Sequence, residues 1–254
     1  MRVAIFSDVH GNLLALEAVL ADVEAQGGVD ATWFIGDAVA LGDDPAGCVA
    51  TIEQLPGVLK VRGNTDRMTV ADSAEVDEEF LDTAATDRDL AARQMAMSRG
   101  FSWARGILVK DGGYDWLAEM PVEERLELPD GTRVLLVHAA PGTDDGPGLR
   151  ESQSDAEVEA LLEGAEADLV IVGHTHLPME RTVNGVHVWN LGSVSLPFAG
   201  DSRAMWTLLE ADESGHTLTR QYARYDIDAM LERFEATHHP TGAVAVQAWK
   251  AVAR

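Results

Sequence analysis

Seven side chains able to bind a metal ion lie in five short motifs spread over the first two-thirds of the chain: Asp8, His10, Asp37, Asn64, His138, His174 and His176. Carboxylate, imidazole and amide donors gathered in one place make a centre that can hold divalent cations and activate water, and a set of this size suits two ions. The motifs are Asp8-Val9-His10, Gly36-Asp37, Gly63-Asn64-Thr65-Asp66, the single His138, and Gly173-His174-Thr175-His176. Each closes a short apolar run: Val3–Phe6, Trp33–Ile35, Val58–Arg62, Val134–Val137 and Leu169–Val172. Open sheets with helical crossovers bring such strand ends to one edge, where ligands bind. Taken singly, each residue has an ordinary reading, since an Asp after a strand commonly caps a helix. His174 and His176, two apart in an extended segment, are predicted to project to the same side.

The elements that must position these residues follow from the spacing of apolar positions. From Met1 to about Asp66 the order is strand, helix, strand, helix, strand, which predicts a parallel sheet. The first helix covers Leu13 to Gln26, with Leu13, Leu16, Leu20 and Val23 at helical spacing. The second begins at Pro45 and stops at Pro56-Gly57. The segment from Arg67 to Met120 interrupts that rhythm and reads as a helical insertion beside the site edge, a partial lid. Its acidic first part is Asp72 to Asp89, and a helical stripe from Leu90 to Leu108 and a short helix from Tyr114 to Met120 follow. Strands are predicted at Val122–Leu128, Thr132–His138, Asp168–Val172, Ala204–Glu210 and Thr217–Tyr222. Asn184-Gly185 joins a hairpin of Met179–Val183 and Val186–Asn190. Helices are predicted near Ser154–Glu163 and at Asp226–Ala236, and the tail from His238 is weakly determined.

The chain has 254 residues, 46% of them hydrophobic, which suits one domain spanning residues 1–254 with the insertion included. No run is long and apolar enough to span a bilayer, and Met1-Arg2 leads directly into a strand, so no secretory leader is expected. Residence in the cytoplasm and no membrane partner are the corresponding expectations. The lone Cys48 excludes an intrachain disulfide framework and reads as a small buried helix residue. A net charge of −24, from 43 Asp and Glu against 19 Lys and Arg, repels nucleic acid polymers, whose binding depends on basic groups at the phosphates.

Together the five motifs resemble the calcineurin-like metallophosphoesterase superfamily, whose pattern is Asp-x-His, Gly-Asp, Gly-Asn-His-Asp/Glu, His and Gly-His-x-His in that order. Asn190-Leu191-Gly192-Ser193-Val194 and the run Trp116 to Pro121 are similar to elements of its small bacterial and archaeal phosphodiesterase branch. The resemblance implies an α/β fold, a four-layer α/β/β/α sandwich of two mixed β-sheets flanked by helices. It implies one divalent ion on Asp8, His10, Asp37 and His176. A second would sit on Asp37, Asn64, His138 and His174, with Asp37 as the bridge and with Asp37 and Asn64 in catalytic roles. The donor types suit Mn, Fe, Zn or Ni. A hydroxide shared by the two ions would attack phosphorus, and the site would carry about +1 despite the acidic surface, which points to a small phosphorylated substrate.

One position departs from the family pattern. Thr65 stands where the superfamily has the histidine thought to protonate the leaving oxygen. A hydroxyl donates a hydrogen bond but supplies no proton near pH 7, and losing a general acid costs roughly 10²–10⁴ in rate. Phosphoanhydrides, aryl esters and strained cyclic diesters tolerate that loss best, the first two because their leaving groups are already weak bases. The reading is therefore a phosphodiesterase, with dinucleoside polyphosphate hydrolase or phosphoprotein phosphatase as alternatives. A non-catalytic protein-binding scaffold of the same fold is the alternative from another class, and a homo-oligomer is compatible with all of them. Asn12, which reads foremost as a cap for the first helix, Thr65 and Arg67 are the candidate substrate contacts.

Overall fold

The structure, a computed structural model, describes residues 1–71, 86–196, 200–242 and 246. Among the described residues ten strands form two mixed sheets. In the first, β1 (Arg2–Phe6), β2 (Ala31–Ile35) and β3 (Leu59–Val61) run parallel, and β9 (Ala204–Asp212) and β10 (Gly215–Ala223) add antiparallel, in the order β10-β9-β1-β2-β3. In the second, β5 (Arg133–Val137), β6 (Leu169–Val172) and β8 (Val186–Asn190) run parallel, flanked by β4 (Glu123–Glu127) and β7 (Met179–Val183), in the order β4-β5-β6-β8-β7.

Alternation along each strand decides the layering. Val3 and Ile5 of β1, with Trp33, Ile35 and Val61, face Val134, Leu136, Leu169 and Ile171 and form the core between the sheets. Ala4, Phe6 and Phe34 point the other way, onto α1 (Leu13–Ala25) and α2 (Pro45–Glu53), through Leu16, Val19, Cys48 and Ile52. Leu135, Val137, Val170 and Val172 cover the outer face of the second sheet against Val158 of α6 (Asp155–Leu161). Because both faces of the central strands are buried, their sequences read as unbroken apolar runs. The four-layer α/β/β/α arrangement expected from the sequence is what the chain adopts.

Two differences from the predicted elements have physical causes. A short helix, α3 (Asn64–Val70), starts inside the third motif, where Gly63, Asn64, Thr65 and Asp66 show no apolar periodicity. The Asp66 carboxylate, in its first turn, anchors it by accepting the Gly63 amide at 3.0 Å. The hairpin of β9 and β10 is longer than predicted and pairs as far as Asp212 and Gly215, because the Asp212–Gly215 stretch serves as a tight turn. The insertion forms α4 (Arg88–Asp111) and α5 (Tyr114–Ala118), and residues 72–85 of its acidic part lie outside the described residues. Arg105 Nε donates to the Thr69 carbonyl at 2.7 Å, and the Tyr114 hydroxyl to that of Val70 at 3.1 Å, so both helices brace α3 from behind. Trp116 packs its ring on Phe34, and the Lys60 ammonium sits 4.0 Å over that ring. Among the described residues no helix is long and apolar enough to cross a membrane.

After α7 (Ile227–Ala236) the chain returns to α4, where His239 is buried against Trp103 and Phe234 and its Nδ1 lies 2.7 Å from the Thr241 hydroxyl. Burial pushes its imidazole pKa down to about 4. The unfolded chain therefore takes up a proton near the ordinary histidine value while the folded site refuses it. The stabilisation from neutral His239 is complete above pH ~6.5 and is lost as pH falls towards 4. In thermal unfolding of metal-free protein, Tm should drop by a few degrees more between pH 6.5 and 4.5 in the wild type than in His239→Phe. Parallel slopes would contradict this.

Candidate metal centre

All seven predicted ligands come to the end of the molecule where the parallel strands of both sheets finish. Asp8 and His10 follow β1, Asp37 follows β2, Asn64 opens α3 after β3, His138 follows β5, and His174 and His176 follow β6. Five of them hold left-handed backbone angles: φ is 58° at Asp8, 51° at His10, 62° at Asp37, 65° at His174 and 57° at His176. Only a few per cent of non-glycine residues adopt this region, and such strain, about 1–3 kcal/mol each, gathers at functional sites. The angles correct one expectation. His174 and His176 do not share a side of an extended segment. Two left-handed turns direct His176 towards Asp8 and His174 towards Asn64.

Backbone bonds hold these loops in register. The Asp8 amide donates to Gly36 O at 3.0 Å, that of His10 to Asp37 O at 2.9 Å, and that of Gly173 to His138 O at 2.9 Å. The loop after β8 joins the two sheets, since Val194 and Ser195 donate their amides to the Ser7 and Asp8 carbonyls. Asn190 organises that loop, giving Nδ2 to the carbonyls of Leu149 and Gly173 and accepting the Gly192 amide. Close approach explains one glycine: a Cβ on Gly63 would lie 2.0 Å from Asp37 Oδ1.

Within this frame the donor atoms converge. Asp8 Oδ1 lies 3.1 Å from His176 Nε2, 3.8 Å from His10 Nε2 and 4.0 Å from His138 Nε2. Asp37 Oδ2 lies 3.4 Å from His138 Nε2 and 3.7 Å from His10 Nε2. Ligands each about 2.1 Å from a shared ion stand about 3–4 Å apart, so these spacings fit a cation. Outer bonds fix which ring nitrogen faces inward: His138 Nδ1 sits 2.7 Å from Ile35 O, His176 Nδ1 2.9 Å from Leu196 O, and His174 Nε2 2.9 Å from Gly146 O. That leaves Nε2 of His138 and His176 and Nδ1 of His174 for the centre, the usual arrangement of metal-binding histidines. His174 Nδ1 lies 3.1 Å from Asn64 Oδ1. Asp8 Oδ1 and His138 Nε2 are buried and have no hydrogen-bond partner among the described residues, as atoms meant for an ion would be.

The charges agree. Burial alone would raise the Asp37 carboxyl pKa, but the facing imidazole of His138, then His10 and the Thr65 amide, outweigh it and hold it well below the usual carboxylate range. His138 is the counterpart: burial disfavours its cation, and the Asp37 and Asp8 carboxylates overcome that and raise it. Positive charge beside two buried carboxylates is what a bound cation would supply.

The remaining candidates have other engagements. Asn12 is fully buried; its Oδ1 caps α1 through the Ala15 amide, and its Nδ2 reaches the Ser195 hydroxyl. The Thr65 hydroxyl donates to Val39 O at 3.1 Å while its amide donates to Asp37 Oδ1 at 2.9 Å. Arg67 pairs with Asp144 and Asp145. Asp66, in the third motif, accepts the amides of Asp37, Ala38 and Gly63 at 2.8–3.0 Å, fixing the Asp37 loop to α3. One contributor escaped the sequence reading. The Pro141–Gly148 loop supplies the Gly146 carbonyl, and its only sequence signal was an Asp pair among Gly and Pro just after His138.

Comparison with known proteins shows what the chain and its fold are similar to. The family model for the calcineurin-like phosphoesterase superfamily domain matches residues 1–214. An uncharacterised protein of Methanocaldococcus jannaschii is 26% identical over 255 aligned positions, covering 94% of this chain and 93% of its own. The crystal structure of a metallophosphoesterase from Sphaerobacter thermophilus is similar, with TM-score 0.71, 26% identity and 99% of both chains covered. That of a hypothetical protein from Pyrococcus horikoshii OT3 shares the fold, with TM-score 0.78 and 18% identity over 99% of this chain and 97% of the other.

Proposed function

Since the chain belongs to the calcineurin-like phosphoesterase superfamily, we propose that it is a binuclear metal-dependent phosphodiesterase acting on small phosphodiesters. The observation that carries this reading is the convergence of Asp8 Oδ1 and Asp37 Oδ2 on His138 Nε2, at 4.0 and 3.4 Å, with Asp8 Oδ1 and His138 Nε2 buried and in no hydrogen bond among the described residues. Asp8, His10, Asp37 and His176 would hold one divalent ion and Asp37, Asn64, His138 and His174 the other. The geometry groups Asp8 as well as Asp37 with His138, while Asp37 Oδ2 faces His10 and His138 alike, in keeping with a shared Asp37. The chemistry that two divalent cations supply when bound there is a nucleophilic water at neutral pH and stabilisation of charge on the phosphoryl oxygens.

The chain's own residues set the rest. Asp8 is held for its task by the Ser7 hydroxyl and the His174 amide on Oδ2, which leaves Oδ1 turned inward. Thr65 offers no ionisable proton where a leaving group would need one, and its hydroxyl is already donated to Val39 O. The scissile bond must therefore have a leaving group that departs without help, as in aryl diesters or phosphoanhydrides. A chain with a net charge of −24 favours small substrates over nucleic acid strands.

The test is a substrate screen with Mn²⁺-supplemented protein over aryl diesters, cyclic nucleotides, dinucleoside polyphosphates and alkyl monoesters. Aryl diesters should turn over at least about 10²-fold faster than alkyl monoesters, the low end of what a missing general acid costs. Activity should vanish with chelator. A preference for monoesters, or no metal-dependent turnover at all, would overturn the proposal.

A further inference from the structure

On the metal-centre reading above, we propose that Asp144 is a positioning residue that clasps the two sheets together behind Asn64 and His174. Asp144 is buried, 4% exposed, in the loop that follows His138. Its carboxylate takes Arg62 Nε at 2.6 Å on Oδ2 and Arg67 Nε at 2.9 Å on Oδ1, and Arg67 Nη2 reaches Asp145 Oδ2 at 2.8 Å. Both arginines belong to the first-sheet side: Arg62 stands two residues before Asn64, and Arg67 lies on α3 one turn after it. The carboxylates belong to the second-sheet side. The residue after Asp145 is Gly146, whose carbonyl lies 2.9 Å from His174 Nε2, and the opposite nitrogen of that ring lies 3.1 Å from Asn64 Oδ1.

The contacts therefore close a ring: Asn64, α3, Arg67, Asp144 and Asp145, the Gly146 carbonyl, His174, and back to Asn64. The loop also fits His174 tightly. Gly148 has φ +62°, and a Cβ there would stand 2.9 Å from His174 Cδ2. Charge-assisted bonds from two guanidinium groups to one buried carboxylate have narrow geometry, so Asp144 sets the loop height and with it the Gly146 carbonyl that selects the His174 tautomer. The other half of the centre has its own braces, His176 through the Leu196 carbonyl and Asp8 through the Ser7 hydroxyl, and it meets His174 only at that residue's backbone amide, not at its ring. Asp144 thus acts on one ion position and spares the other. It also accounts for Arg67: its guanidinium is spent on the clasp and is not free to hold substrate.

The experiment is Mn²⁺ titration of purified full-length protein by calorimetry, with electron paramagnetic resonance on the same samples. Wild type should take up two ions per chain and show a spin-coupled pair. In Asp144→Asn the Kd for one ion should stay within about twofold of wild type and that for the other should rise about 10–100-fold, the range for losing an outer partner of a metal ligand. At one equivalent the spectrum should be that of an isolated ion. Arg67→Gln cuts the same clasp from its half-exposed side and should repeat the selective loss with little risk to folding. Asp168→Ala, which removes an exposed ion pair with Arg133, should change neither ion. Two ions at wild-type affinity in both clasp variants, or equal weakening of both ions, would overturn the proposal. A wild type that fails to bind two ions would instead overturn the metal-centre reading on which it rests.

Discussion

Replacing Asp37 by alanine or asparagine should abolish phosphodiester hydrolysis, by at least about 10³-fold, and bring metal content below two ions per chain. The expected loss exceeds the 10–100-fold typical of outer partners because Asp37 faces both halves of the centre. Its Oδ2 is 3.7 Å from His10 Nε2 and 3.4 Å from His138 Nε2, its Oδ1 is fixed by the Thr65 amide at 2.9 Å, and it is 2% exposed. Without this carboxylate two cations would face each other with less negative charge between them, and the His138 and His10 rings would lose the group they both oppose. Asparagine preserves the shape and one oxygen but removes the charge. Metal analysis with turnover on an aryl diester checks this. Two ions and near-normal rates in Asp37→Asn would refute the shared-ligand role.

Asp66→Ala should have the largest effect on stability, about 3–5 kcal/mol. The Asp66 carboxylate is fully buried and accepts three backbone amides, those of Asp37, Ala38 and Gly63. Each buried donor left without a partner costs about 1–3 kcal/mol, and the three share one cavity, so their costs overlap. Burial and the nearby Asp37 charge push the Asp66 pKa up to about 7, so the comparison belongs at pH 8, where the carboxylate is ionised. The loss is a large part of the 5–15 kcal/mol that holds a typical domain, and at about 2–4 °C per kcal/mol it should lower Tm by roughly 10 °C. Urea unfolding of metal-free protein measures it, and Asp66→Asn, which keeps one acceptor oxygen, should fall between the two. A variant within 1 kcal/mol of wild type would show that water satisfies those amides equally well.

The contrast between Asp37 and Asp66 shows what a sequence displays and what it conceals. The strands that carry the ligands are buried on both faces, so Val3–Phe6, Trp33–Ile35 and Leu169–Val172 stand out as apolar runs, and the polar residues that end them are conspicuous. Asp37 was visible for that reason. Asp66 was visible as a residue, but its three amide partners lie up to 29 positions away and depend on how two loops cross. The helix α3 was hidden because Asn64-Thr65-Asp66-Arg67-Met68-Thr69-Val70 has poor intrinsic helix propensity and is held by its cap and by the α4 and α5 contacts. Asp144 and its arginines are 77 to 82 positions apart, a pairing made by the packing of two sheets and by no local pattern. The left-handed angles at the ligands were not readable position by position, since Asp and His adopt them more often than most residues but still only in a minority of cases.

The most direct measurement is anomalous X-ray diffraction at the manganese edge from crystals of the full chain grown with Mn²⁺. Two peaks are expected, one among Asp8, His10, Asp37 and His176 and one among Asp37, Asn64, His138 and His174. A single peak, or none at these side chains, would contradict the binuclear centre and the phosphodiesterase reading built on it.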